Sequence, residues 1–168
     1  MRRFIVGVMG PGEGAEVAAE AAARRLGRLI AEQGWVLLTG GRNVGVMRAA
    51  NAGAKEVPGS LTVGLLPDAH TEPSPDVDIV IPTGLGNARN NLNVLASDVI
   101  VAVGRGGPGT VSEVALALKA GKPVLLLGAD PLSLAFFAQL SAGKAIALQT
   151  PEAVVAEIRK IHATRSAT

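Results

Sequence analysis

The sequence predicts an α/β fold: a central, mainly parallel sheet of about six to seven strands, with helices on both faces. Three observations carry that expectation. Short runs of Val, Ile and Leu recur along the chain, most of them meet a glycine turn, and most of those turns open a segment with helical spacing of apolar residues. Strands that are apolar throughout need cover on both faces, and alternating strand–turn–helix units make parallel neighbours joined by crossovers. Composition agrees, being 48% hydrophobic and only 2% aromatic, which suits Ala-rich helices packed closely on an aliphatic sheet. The class is a Rossmann-like three-layer αβα sandwich. One such domain is expected over residues 1–163, with a frayed tail at 164–168.

Taken in order, residues 4–10 read as a strand leading into a helix near 15–33. There Ala18, Ala22, Leu26 and Leu29 form an apolar stripe, with Glu16 and Glu20 early and Arg24 and Arg28 late, as the helix dipole favours. Residues 35–41 are a strand, 45–55 a helix, and 61–67 and 78–83 two further strands. A helix around 86–96 precedes a strand at 99–104, a helix at about 110–120 and a strand at 123–128. Helical spacing at 131–141, a short strand at 145–149 and a helix at 151–161 complete the pattern. The irregular segment 67–78 holds three prolines, four acids and His70; it reads as a solvated loop, a lid, a subunit contact or a metal site.

Several functions are disfavoured. Without cysteine there is no disulfide, thiolate zinc site or thiol catalysis. The pI of 9.4 accompanies a net charge of only +2, because little titrates between the carboxylates and the lysines. Basic residues run no longer than adjacent pairs such as Arg2-Arg3 and Arg24-Arg25, which is no nucleic-acid footprint. The first ten residues lack a signal-peptide cleavage site, and no apolar run reaches the ~18 residues of a membrane span. A soluble cytoplasmic protein is expected. Gly10-x-Gly12-x-Gly14 lacks the dinucleotide spacing, and Thr39-Gly40-Gly41 stands where a ribose-binding acid would be. No Walker lysine, Gly-x-Ser-x-Gly elbow or His-rich metal cluster is present. Lys119 and Lys122 fall at the far end of a helix, away from the glycine turns.

Three glycine-rich turns, at 10–14, 39–45 and 104–110, fall at the carboxyl ends of strands, where parallel sheets bind ligands. The third is VGRGGPGTVSE. Gly106, Gly107 and Gly109 let a phosphate approach backbone N–H groups at a helix start, Thr110 adds a hydroxyl, and Arg105 a counter-charge. Thr110-x-x-Glu113 also has capping-box spacing. The first two turns offer Gly10, Gly12, Gly40, Gly41, Arg42 and Asn43. Asn43 could be a turn residue only, and Arg42 a solvated charge.

In GLGNARNNLNVLASD, Leu85, Ala88, Leu92 and Leu95 make a stripe expected to be buried. Asn87, Asn90, Asn91 and Asn93 crowd one short helix, although each costs several tenths of a kcal/mol against alanine. Either they form a polar subunit contact, or Arg89, Asn90 and Asn93 face a ligand held by the third turn.

TGGRNVGVMRAANAGA, followed by ARNNLNVLASDVIVAVGRGGPGTVSEVALALKAGKPVLLLG, resembles the family that groups LOG proteins with molybdenum-cofactor carrier proteins. The resemblance spans roughly residues 4 to 128. Its signature, Pro-Gly-Gly-x-Gly-Thr-x-x-Glu, matches in the glycines, Thr110 and Glu113, with Arg105 in place of the leading proline. In LOG enzymes the matching glutamate and an upstream arginine, here Glu113 and Arg89, serve N-glycosidic hydrolysis of nucleoside 5′-monophosphates. Asn90 and Ser112 depart from that pattern, standing where a lysine and an acid are usual. The short chain and asparagine-rich helix are closer to the carrier branch, which implies molybdenum cofactor (molybdopterin) as bound ligand and a homodimer or homotetramer. Two alternatives accompany this reading: a phosphoribohydrolase using Glu113 and Arg89, and a nucleotide-sensing module.

Overall fold

The computed structural model describes residues 2–166. Seven strands form one sheet: β1 (Ile5–Met9), β2 (Val36–Thr39), β3 (Leu61–Leu66), β4 (Ile79–Pro82), β5 (Val99–Val103), β6 (Val124–Leu127) and β7 (Ile146–Leu148). Their order is β4-β3-β2-β1-β5-β6-β7, and every neighbouring pair is parallel. Six α-helices complete the layers: α1 (Val17–Glu32), α2 (Gly45–Lys55), α3 (Arg89–Ala96), α4 (Pro108–Lys119), α5 (Pro131–Leu140) and α6 (Pro151–Ser166), with a 3₁₀ turn at Gly86–Ala88 before α3.

The two-residue period of a strand divides the core. Val99, Val101 and Val103 of β5 pack with Val6, Val8, Leu37, Leu125 and Leu127 under α1, α2 and α6. Ile100 and Ala102 point the other way, joining Met9, Leu38 and Leu126 under α3, α4 and α5. Each such side chain, fully buried, contributes about 1.5–3 kcal/mol. β1, β5 and β6 accordingly carry no polar side chain, and the buried threonines of the neighbouring strands, Thr39 and Thr62, have hydrogen-bond partners, whereas β4 at the sheet edge is exposed along its length.

α1 and α2 meet backbone to backbone. A Cβ on Gly53 would stand 1.8 Å from the carbonyl oxygen of Arg24, and one on Gly27 only 2.0 Å from that of Ala50. This contact fixes the rotation of α1, so its buried stripe is Ala19, Ala23, Leu26 and Ile30. Of the stripe expected from spacing, Leu26 and Leu29 are buried and Ala22 packs partly buried against the core, while Ala18 is exposed.

Three further differences from the sequence expectation have physical reasons. α6 runs to Ser166, so residues 164–166 are helical rather than frayed, while 167 and 168 lie outside the described residues. The end of α6 is fastened by Arg165, which pairs with buried Asp98 at 2.9 Å and lies over the Phe4 ring. Segment 67–78 is a strap: Arg42 and Pro73 form a bridge, Ser74 N donates to Gly41 O at 2.8 Å, and Asp78 accepts from Lys55 and Thr62. In α3 the stripe turns outward. Leu85 and Leu95 are about half exposed, and Leu92 is also exposed, while Asn93 and Val94 are buried. The helix is rotated because its polar residues are engaged by α4.

Candidate functional site

The strand order reverses direction at β1, between β2 and β5, which opens a crevice at the carboxyl ends of these strands. It is a cleft of about 240 Å³. Ten of the residues singled out in the sequence line it: Gly10, Gly12, Gly40, Arg42, Arg89, Asn90, Gly107, Gly109, Thr110 and Glu113. An adjoining depression, bordered by Glu16, Arg105 and Gly106, shares Pro11, Glu13 and Gly107 with it. Gly41 is buried against Gly64 of β3 and serves the turn. Asn43 lines a different groove, between α1 and α2.

The third glycine turn departs from the capping-box expectation. α4 begins at Pro108 with Gly107 as its N-cap residue, and no side chain caps it. Pro108 at the first helical position has no N–H to leave unpaired, and the cap position falls at Gly107, three residues before the Thr110 that the spacing predicted. Thr110 and Glu113 therefore lie inside α4, three residues apart on one face and largely buried. Nothing stands within 4 Å of a Cβ built on Gly107 or Gly109. The start of α4 is thus an open backbone surface with uncapped amides, which is what an anion needs.

Glu113 is no cap. Its Oε1 accepts from Asn93 Nδ2 of α3 at 2.8 Å, and the residue is only 7% exposed. Burial pushes its pKa up to about 7, against the lowering effects of the Asn93 amide and the Arg89 charge. Asn90 Nδ2 donates to Ser112 Oγ at 2.8 Å, and that hydroxyl donates to Gly109 O at 2.7 Å. Three of the four asparagines that helix propensity opposes are thus used: Asn90 and Asn93 fasten α3 to α4, and Asn87 lines the cleft, while Asn91 is exposed. The two departures from the LOG-like pattern, Asn90 and Ser112, are each other's partner. A neutral hydrogen bond stands where a lysine and an acid would carry charge.

Arg89 enters the cleft from the start of α3 but gives its donors to backbone. Its Nη1 donates to Gly40 O at 2.6 Å and also to Leu65 O, tying the ends of β2 and β3 together. Gly40 makes this possible, since a Cβ there would stand 2.7 Å from that nitrogen. Burial lowers the Arg89 pKa from its ordinary value, and the Glu113 charge opposes the shift. Arg42 is held across the cleft mouth by Glu13 at 2.5 Å. Asn87, singled out with the asparagine-rich helix, lines the cleft too, as do Glu13 and Met47, which were not among the sequence candidates. The acid in GPGEG facing the arginine in TGGRNVG was the available signal for Glu13.

Fold and site together define a Rossmann-like α/β protein with a polar, glycine-lined cleft at its topological switch point. The chain belongs to the SLOG cluster4 family, which matches residues 3–155. It is 55% identical to the molybdenum cofactor binding protein of the phototrophic bacterium Rippkaea orientalis, with a TM-score of 0.92 over 96% of this chain and 98% of that one. The molybdenum cofactor carrier protein of Chlamydomonas reinhardtii is 49% identical, with a TM-score of 0.90 over 96% of this chain and 99% of that one. An uncharacterized protein of Archaeoglobus fulgidus is 46% identical over 76% of this chain and 82% of its own length.

Proposed function

We propose that this chain binds and carries molybdenum cofactor, holding the phosphate of the pterin at the start of α4. The observation that carries this is the uncapped, unobstructed turn Gly107–Thr110, set in a cleft lined also by Arg42, Arg89, Asn87 and Asn90, with Glu13 and Glu113 as its acids. Near-full-length similarity to a cofactor binding protein and a cofactor carrier supports the choice of ligand. The phosphate sits on the amides of Gly109 and Thr110, Arg105 and Arg42 supply positive charge at the rim, and Asn87 and Asn90 offer hydrogen bonds to the pterin edge. The protein does this in the cytoplasm; among the described residues no helix is long and apolar enough to cross a membrane.

Two apolar faces support self-association. One combines Leu85, Leu92 and Leu95 with the exposed edge strand β4, and the other is Leu132, Phe136 and Leu140 of α5. One isologous contact gives a homodimer, and both together a homotetramer. Because α3 carries Arg89 and Asn90 as well as Leu92 and Leu95, the first contact would adjoin the cleft.

A second reading, hydrolysis of a nucleoside 5′-monophosphate, is favoured by one observation: a buried carboxyl at about 7 beside an arginine is suited to acid–base work. Incubation with AMP and an N6-substituted AMP separates the two readings. The carrier reading expects no ribose 5-phosphate; turnover abolished in Glu113→Gln would establish the hydrolase instead. A nucleotide-sensing module would show neither turnover nor cofactor binding, with assembly state changing on nucleotide addition.

A further inference from the structure

Asn93 is 1% exposed, and its two side-chain atoms fare differently. Nδ2 donates to Glu113 Oε1 at 2.8 Å, while Oδ1 is buried with no hydrogen-bond partner among the described residues. An orphaned buried acceptor is costly. An ionised carboxylate has no donor to give it, whereas a carboxylic acid does.

The charges facing Glu113 leave it without a committed cation. From α3, Arg89 spends donors on Gly40 O and Leu65 O, and Asn90 is neutral and bound to Ser112. From the turn after β2, Arg42 is held by Glu13 of the β1–α1 loop. Asp68 of the 67–78 strap acts on Arg89, and β5 and β6 beneath α4 carry no ionisable residue. Thr110 precedes Glu113 by three residues on the same face of α4, so an anion at the helix start lies within one turn of the carboxyl.

Resting on the anion-binding reading of this cleft, we propose that Glu113 meets its ligand as a neutral carboxylic acid paired with Asn93, and that retention of this proton is coupled to retention of the anion. The proton supplies the donor that Asn93 Oδ1 lacks and removes a negative charge that would repel the ligand phosphate. Loss of the proton weakens binding, so the pair acts as a release device that works as pH rises. Raising of the Glu113 pKa to about 7 by burial places the change near neutrality.

The test uses a pterin phosphomonoester with the wild-type protein and Glu113→Gln. Titration calorimetry is run from about pH 6 to about pH 8.5 in buffers of different ionisation enthalpy. The wild type should lose about tenfold more affinity over that range than the variant, matching a one-unit rise in the Glu113 pKa on binding. It should also take up more protons per ligand. Equal slopes and equal proton counts in the two proteins overturn the coupling while leaving the carrier reading intact. Failure of both proteins to bind overturns the carrier reading and the coupling with it. Infrared spectra of the free proteins separate the remaining element: a carboxylic acid C=O band at about neutral pH should be present in the wild type and missing from the variant. Its absence from the wild type overturns the neutral acid whether or not ligand binds.

Discussion

Asn93 on α3 donates its side-chain amide to Glu113 on α4 at 2.8 Å, and both residues are buried between the two helices. Glu113 lines the cleft, and its bond to Asn93 joins α3 to α4 behind it. It converts what the sequence offers as a capping motif and a polar stripe into one buried polar contact.

Stability should depend on pH through this contact. The Glu113 carboxyl has an ordinary pKa of 4.5 and about 7 when folded, so the folded protein binds more protons between those values. Its stabilising contribution is full below about 4.5 and is lost as pH rises to about 7, a change on the order of 3 kcal/mol. Glu113→Gln stays neutral, so urea unfolding at a series of pH values should show this fall in the wild type and not in the variant. Parallel curves for the two proteins would contradict it.

Asn93→Ala removes the donor and leaves Glu113 buried without it. Unfolding free energy should drop by about 1–3 kcal/mol, with the larger deficit above neutral pH, where the carboxylate is charged. A loss below about 0.5 kcal/mol would mean that the pair relaxes or is solvated.

Gly53→Ala tests the α1–α2 contact. A methyl cannot occupy a point 1.8 Å from a carbonyl oxygen, so the helices must separate, at a cost of about 1–3 kcal/mol despite alanine's better helix propensity. Thermal denaturation reads this directly. A stabilised variant would contradict the backbone packing.

Gly107→Val separates ligand binding from folding. Its Cβ has open space and its backbone is extended, so the melting temperature should change by only a few degrees. Its side chain covers the amides at the start of α4, so phosphate-ligand affinity should fall at least about tenfold. Unchanged affinity would move the anion site elsewhere.

Leu92→Glu with Leu95→Glu should shift the proposed oligomer toward monomer in light scattering, without loss of helical circular dichroism, because both side chains are exposed in the single chain. An unchanged mass would put the contact on α5 instead.

Much of this was legible in the sequence, and what was not has a common cause. Strand and helix order followed from local pattern: the apolar runs of β5 and β6 can only be buried strands. The cleft was legible because glycine turns at strand ends fall at one rim in a parallel sheet. Rotation of a helix about its axis was not legible. Ala19 replaced Ala18 in the core because Gly27 and Gly53 set a backbone contact between elements distant in sequence. Likewise α3 exposes Leu92 and Leu95 because Asn90 and Asn93 are engaged by Ser112 and Glu113, some twenty residues on. The Thr110–Glu113 spacing misled as a cap because Pro108 had already opened the helix.

The most direct test of the central claim is delivery of cofactor. Purified protein is loaded with molybdenum cofactor, separated from free ligand, and mixed over time with a cofactor-free molybdoenzyme; regained activity is compared with that from free cofactor aged equally and from Gly107→Val. The cleft described here predicts that wild-type protein preserves and delivers the cofactor while Gly107→Val behaves like free cofactor. Equal decay in all three samples would contradict it.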